Sequence, residues 1–310
     1  MRQIRYYSSN NLYVAFSGGE DSTLVALIAR KALGKDRVQL VTVDWGQFTY
    51  ARSRKIVSQL ALEIGLPHRF IAGSGTQKKI WKHGPSCSSC TRNVKLGLIK
   101  NIAKDGLIAT GANQSDSWGK VGIKLNGNVF SPLLELSKED IRYFLDHFRF
   151  NVPKIGESVD REGCKLKHLL KMMINEEYHG RAVCESNELL LSYLGARSWN
   201  AKLANVKIVG PLSKNIALVN VVPHLSEKYA AELRTLLNSL ECVDEVHVVN
   251  RPVKLKVLAN PGLFNDSTAR SHVHMGVIQK EFAAPVEITW IESSNKRLRT
   301  FQVISFAFQR

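Results

Sequence analysis

The stretch "AFSGGEDSTLVALIARKAL", Ala15 to Leu33, decides the fold. The residues before it, Leu12-Tyr13-Val14-Ala15-Phe16, read as a short buried strand. The residues after it place Leu24, Leu27, Ile28 and Ala32 on one helical face. Ser17-Gly18-Gly19 must therefore turn a strand directly into a helix. A helix N-terminus presents free N–H groups and the positive end of a dipole, so it attracts anions. Glycines let the backbone approach an oxyanion and tolerate positive φ. Ser17 and Ser22 add hydroxyl donors. Asp21 beside a phosphate calls for an intervening cation, which points to Mg²⁺. An ordinary capped turn would also use Ser and Asp, so the rest of the chain must decide. The Gly-Lys-Ser/Thr of a Walker A loop is absent.

Working outward, Arg37–Trp45 and His68–Gly73 read as further strands, with a helix over Tyr50–Ile64 between them. Residues 73–86 read as a polar, glycine-containing loop, and 91–104 as a helix. Gly106–Asn113 is a fourth strand. Strands alternating with helices predict an α/β, doubly wound parallel sheet. Ligands then bind beyond the carboxyl ends of the strands. Three groups fall there: Ser17–Ser22, Asp44–Gln47 and Gly111–Asp116. A hairpin is expected at Asn126-Gly127. Helices are expected at Lys138–Phe148, Lys165–Ile174 and Ala182–Leu194.

Near residue 205 the pattern changes to runs of strands, with helices at Ser226–Leu240 and Asp266–Phe282. This predicts a catalytic domain over 1–205 and a smaller α+β accessory domain over 206–310, ferredoxin-like in its mix of elements.

The chain has 310 residues, 44% of them hydrophobic and 23% charged, a globular composition. No apolar run is long enough to span a membrane, and "MRQIRYYSSNN" lacks the apolar core of a signal peptide. A cytoplasmic protein with no membrane partner is expected. Net charge is +16. Ile64 to Lys104 contains no acidic residue but holds Arg69, Lys78, Lys79, Lys82, Arg92, Lys95, Lys100 and Lys104. Such a segment suits a polyanion such as RNA, and equally suits ATP; a solvated basic face reads the same.

Five cysteines include Cys87-x-x-Cys90, and Cys164 stands later in "DREGCKLKH". In a reducing compartment the pair points to metal, cluster or redox chemistry. Cys184 or His83 could complete a zinc site. Cys242 reads as buried packing, His168, His179 and Arg181 as helix-surface or capping residues with phosphate or substrate contact as the alternative, and Lys138 as a cap or start of its helix in place of a phosphate ligand.

Ser17-Gly18-Gly19-Glu20-Asp21-Ser22 resembles the pyrophosphate loop of the PP-loop ATP pyrophosphatases. "VDWGQ" (Val43–Gln47) is similar to a segment of 7-cyano-7-deazaguanine synthases. "ATGANQSD" (Ala109–Asp116) and "SPLLELSKEDIR" (Ser131–Arg142) resemble elements of tRNA thiolation enzymes. The likeness covers about the first 190 residues and extends to the sacrificial sulfur transferases of that family. It implies adenylation of a substrate carbonyl by ATP with pyrophosphate release. Asp21 and Ser22 would be catalytic. Ser17, Gly18, Gly19, Asp21, Ser22, Asp44, Gly111, Asn113 and Asp116 would hold ATP and Mg²⁺. It further implies sulfur transfer into tRNA, with a [4Fe-4S] cluster on Cys87, Cys90 and Cys164 as catalytic ligands and a sulfur donor or carrier protein as partner. Zn²⁺ on the same cysteines, in a small-molecule ligase, is the alternative; a non-catalytic RNA-binding protein is a third reading, and a homodimer stays open. The extra cysteine pairs of the zinc-bearing thiolation enzymes and the late four-cysteine site of the deazaguanine synthases are both missing here.

Overall fold

Alternate residues of the first strands face opposite sides of the sheet, and both sides are apolar. The structure, a computed structural model, describes residues 1–8, 11–115, 121–153 and 163–309. The chain divides into two compact units, Met1–Ser74 with Cys90–Gly156, and Gly75–Ser89 with Glu157–Arg310.

The first unit carries β1 (Leu12–Ala15), β2 (Val38–Asp44), β3 (His68–Ala72), β4 (Leu107–Ala109), β5 (Leu125–Asn126) and β6 (Val129–Phe130). Its helices include α1 (Arg2–Tyr7), α2 (Glu20–Leu33), α3 (Ala51–Ile64), α4 (Leu96–Ala103) and α5 (Lys138–His147). The sheet order is β3-β2-β1-β4-β6-β5, parallel except for the β5–β6 hairpin. On one face Leu12, Val14 and Leu40 pack with Leu24, Leu60, Ile64 and Ile141 from α2, α3 and α5. On the other, Ala15, Val41 and Val43 pack with Ile99 and Ala103 of α4. Helices thus cover both faces, as a doubly wound sheet requires. The Asn126-Gly127 hairpin is present, with Gly127 at φ +59°. The fourth strand is shorter than predicted: it ends at Ala109, and the chain peels away toward an isolated bridge of Asn113 with Leu133.

The second unit holds β7 (Leu203–Val209), β8 (Ile216–Val222), β9 (Glu245–Val248), β10 (Val253–Ala259), β11 (Val286–Glu292) and β12 (Phe301–Phe308), with α6 (Arg181–Ala196) and α7 (Glu227–Asn238). Its strands lie in two three-stranded sheets, β7-β8-β9 and β11-β10-β12, in place of one ferredoxin-like sheet. The unit also takes in the segment from 163 to 205, so the compact division differs from the change of pattern at 205. The physical link is α6: Asn187 accepts from the N–H of Val206 and donates to its carbonyl, each at 2.9 Å, tying the helix to β7.

Three predicted elements are corrected. Ser74–Trp81 is a helix, not a loop, and it buries Gln77 and Trp81. Lys165–Ile174 is helical only as a 3₁₀ turn over Lys165–His168. The expected helix Asp266–Phe282 is broken into Ser267–Ser271, a π-helical His272–Ile278 and a 3₁₀ turn.

Candidate functional site: a strand-to-helix oxyanion cradle

β1 is flanked by β2 on one side and β4 on the other, and the chain runs out from β1 in both directions. The switch point therefore lies at the carboxyl ends of β1 and β4. There the backbone passes through Gly18 at φ +69° and enters α2 at Gly19, which has no side chain to cap the helix. The first-turn N–H groups consequently face outward without a side-chain acceptor from the cap.

The serines brace the turn. Ser22 Oγ accepts from the Ser17 N–H at 3.2 Å, meets Ser17 Oγ at 3.1 Å, and donates to the Gly19 carbonyl at 3.2 Å. Gly111, just beyond β4, presses on the same helix end: a Cβ there would lie 2.7 Å from Asp21 Cβ and 3.1 Å from the Ser22 nitrogen. Asn113, buried, fixes that loop by donating to the Gly111 carbonyl and accepting from the Ser115 N–H and hydroxyl. Asp116, also expected here, lies outside the described residues.

Two cations of α5 face the acids of α2. Lys138 Nζ donates to both carboxylate oxygens of Asp21 at 2.7 Å. Arg142, one turn on, stands 3.6 Å from Glu20. Lys138 does start its helix, beside a Ser137–Asp140 capping box, but its side chain belongs to the cradle. Sequence reasoning left that pairing out; the signal was a Lys-x-x-x-Arg spacing, which puts both cations on one helical face.

At the end of β2, Asp44 accepts from Arg54 (2.8 and 3.1 Å) and from the Gly46 N–H. Burial raises its pKa, yet the Arg54 and Thr49 hydrogen bonds, with the Arg54 charge, hold it below the usual carboxylate range. The structure places Asp44 as the anchor of the turn that carries Trp45, whose ring lies against Gly73.

Cys87 is exposed and Cys90 buried at the start of a π-helical segment; Cys164 accepts from Gln77 Nε2 at 3.0 Å. Among the described residues no group of three or more His, Cys, Asp or Glu side chains is placed to hold a metal ion. The cluster, or the zinc, expected on Cys87, Cys90 and Cys164 gains no support from the described residues. Burial pushes the Cys184 thiol up to about 12 and that of Cys242 up to about 11, which makes both poor ligands. His168 and His179, read as helix-surface or capping residues, are instead buried at 0% and 1% exposure.

A doubly wound α/β sheet with a glycine-turned helix at its switch point fits the PP-loop resemblance, and the similarities found support the PP-loop ATP pyrophosphatase superfamily. The NAD synthase family model matches residues 2–79, about the first quarter of the chain. The NH(3)-dependent NAD(+) synthetase of Methanosarcina mazei is 35% identical over 101 residues, 33% of this chain and 39% of that protein. The chain therefore spans well under half the length of this curated relative.

Proposed function

We propose that the protein is an ATP-dependent adenylating enzyme that releases pyrophosphate. An acceptor oxygen attacks the α-phosphorus of ATP; the new P–O bond forms as the bond to the pyrophosphate oxygen breaks. A nucleophile then displaces AMP from the activated carbon. The observation that carries this reading is the close approach of Gly111 to the open N-terminus of α2, which leaves a bare backbone surface for a leaving oxyanion. Lys138 is the cation beside that surface. Asp21 fits Mg²⁺, a hard cation held by one or two carboxylates and substrate phosphates, and the bound ion would offset pyrophosphate charge.

Similarity to an ammonia-dependent synthetase favours nitrogen as the second nucleophile. Sulfur is the second reading, favoured by the exposed Cys87 thiol in Cys-x-x-Cys, with tRNA as acceptor through the basic segment. Supplying ammonia or a persulfide donor to the enzyme holding an adenylated acceptor, and following Cys87→Ser, separates the two: only sulfur transfer should need the thiol.

The adenylation reading is tested with inorganic pyrophosphate by calorimetry on the full chain. Lys138→Ala should weaken binding about tenfold or more, roughly 1.4 kcal/mol, with or without Mg²⁺. Asp21→Ala should abolish the Mg²⁺ dependence instead, because it removes a ligand yet releases Lys138. Binding unchanged in both variants overturns the proposal.

A further inference from the structure

Beside the first residue of α2 the first unit has a cleft of about 290 Å³ that the cradle does not use. Its polar rim is Glu20, Arg142, Arg149 and Asn151; its apolar wall is Leu145, Phe150 and Val152. At 3.6 Å the Arg142–Glu20 contact is too long for a hydrogen bond, so Arg142 offsets the Glu20 charge and keeps its donors.

Arg149 is the unusual member. It follows the end of α5 with φ +52°, in the left-handed region that a side chain with a Cβ disfavours. Its backbone N–H donates to the Asp146 carbonyl at 2.8 Å, closing the helix end. Its guanidinium is exposed and makes no ion pair among the described residues, although the Asp146 carboxylate lines the same cleft. Glycine or asparagine would close this turn with less strain. A strained residue that aims an unspent, bidentate cation into a cleft is the pattern of a site held ready for an anion.

We propose that this cleft is the acceptor subsite, and that it takes a phosphate or carboxylate group carried on an apolar or aromatic body. Arg149 grips the oxyanion through two N–H groups, with the Asn151 amide beside it. The body of the ligand lies on Leu145, Phe150 and Val152. Because Glu20 opens the helix that receives pyrophosphate, a ligand here stands next to the reacting end of the nucleotide; that placement rests on the adenylation reading above.

The test uses phenyl phosphate, an oxyanion on an aromatic ring, titrated into the full chain by calorimetry with and without saturating pyrophosphate. Binding should persist when pyrophosphate is saturating, so that both anions are held at once. Arg149→Gln should weaken phenyl phosphate at least tenfold and leave pyrophosphate binding unchanged. Arg149→Lys should fall between, since it keeps the charge and loses the fork. Arg149→Gly should lose the ligand and raise the thermal midpoint, since it relieves the left-handed backbone. The proposal is overturned if phenyl phosphate fails to bind, competes one-for-one with pyrophosphate, or is indifferent to Arg149→Gln. A lowered midpoint in Arg149→Gly also overturns it. If pyrophosphate does not bind while phenyl phosphate still depends on Arg149, the cradle reading fails and the subsite stands.

Discussion

A methyl group at position 111 would meet Asp21 Cβ at 2.7 Å and the backbone of Asp21 and Ser22 at 3.1 Å. None of these atoms is the end of a flexible side chain, so Gly111→Ala must push the β4 loop and the α2 terminus apart. The expected cost is about 1–3 kcal/mol of stability, as for other overpacked sites. Pyrophosphate binding should fall as well, because the displaced atoms carry the cradle. A urea midpoint and a pyrophosphate titration on the same sample check both; a variant with native affinity would show that the contact does not shape the cradle. The Ser-Gly-Gly run made the turn legible from sequence, since only a tight strand-to-helix reversal needs it. The Lys138–Asp21 pair was not legible, because it joins residues 117 apart and depends on where α5 lands. Asp44 was legible as a strand-end acid, but its engagement by Arg54 was not.

At the scale of elements, the clearest surprise is the segment after Cys164. Leu166, Leu169, Leu170 and Met173 have helical spacing, which predicted a helix. Leu169, Leu170, Lys171, Met172 and Met173 are all buried, however, so the run has no polar face for a surface helix to turn outward. It threads the core extended: the Leu170 N–H donates to the Ile208 carbonyl, and the Leu170 carbonyl accepts from the Val303 N–H. Its polar members are tied off inside. Lys207 of β7 and Lys167 both donate to Glu281, at 3.0 and 2.7 Å, and Lys207 also meets His168 Nδ1 at 2.8 Å. Burial, with the charges of Lys207 and Lys167, keeps His168 neutral, so it acts as an acceptor and makes no ion pair with Glu281. Burial works against the Glu281 carboxylate, but the two lysine charges prevail and hold its pKa at about 2. A depressed carboxylate contributes stability that is full above its ordinary value near 4.5 and is lost as pH falls through about 2. Urea midpoints should therefore decline between pH 4.5 and 2, and Glu281→Gln should flatten that decline. The variant should also lose about 3 kcal/mol at neutral pH, since it strands the buried Lys207 ammonium and the half-buried one of Lys167. A wild-type-like pH profile in Glu281→Gln would remove the assigned role.

Over the whole molecule, local pattern revealed the first unit better than the second. Alternating strands and helices with a glycine turn specify a doubly wound sheet almost on their own. The second unit draws on separated segments, the helix Ser74–Trp81 among them, and no local signal links those. Net charge is the one global property read directly from composition, and at +16 it invites a polyanion. The acid-free segment does not offer all eight of its cations equally. Lys78 is paired with Glu176, and Lys95 is half-buried with its pKa lowered by burial. Arg69, Lys79, Lys82, Arg92, Lys100 and Lys104 are exposed. Each exposed cation that neutralises an RNA phosphate releases counterions, so affinity should fall steeply with salt. Lys79 and Lys82 share the segment that begins with the helix Ser74–Trp81, so they test it together. If this segment holds RNA, Lys79→Gln with Lys82→Gln should reduce the slope of log affinity against log salt by about 2, one for each phosphate that is no longer neutralised. Fluorescence anisotropy of labelled tRNA from low to physiological KCl measures the slope directly. An unchanged slope, or no binding at low salt, would assign the charge to nucleotide attraction and leave a small-molecule acceptor as the substrate.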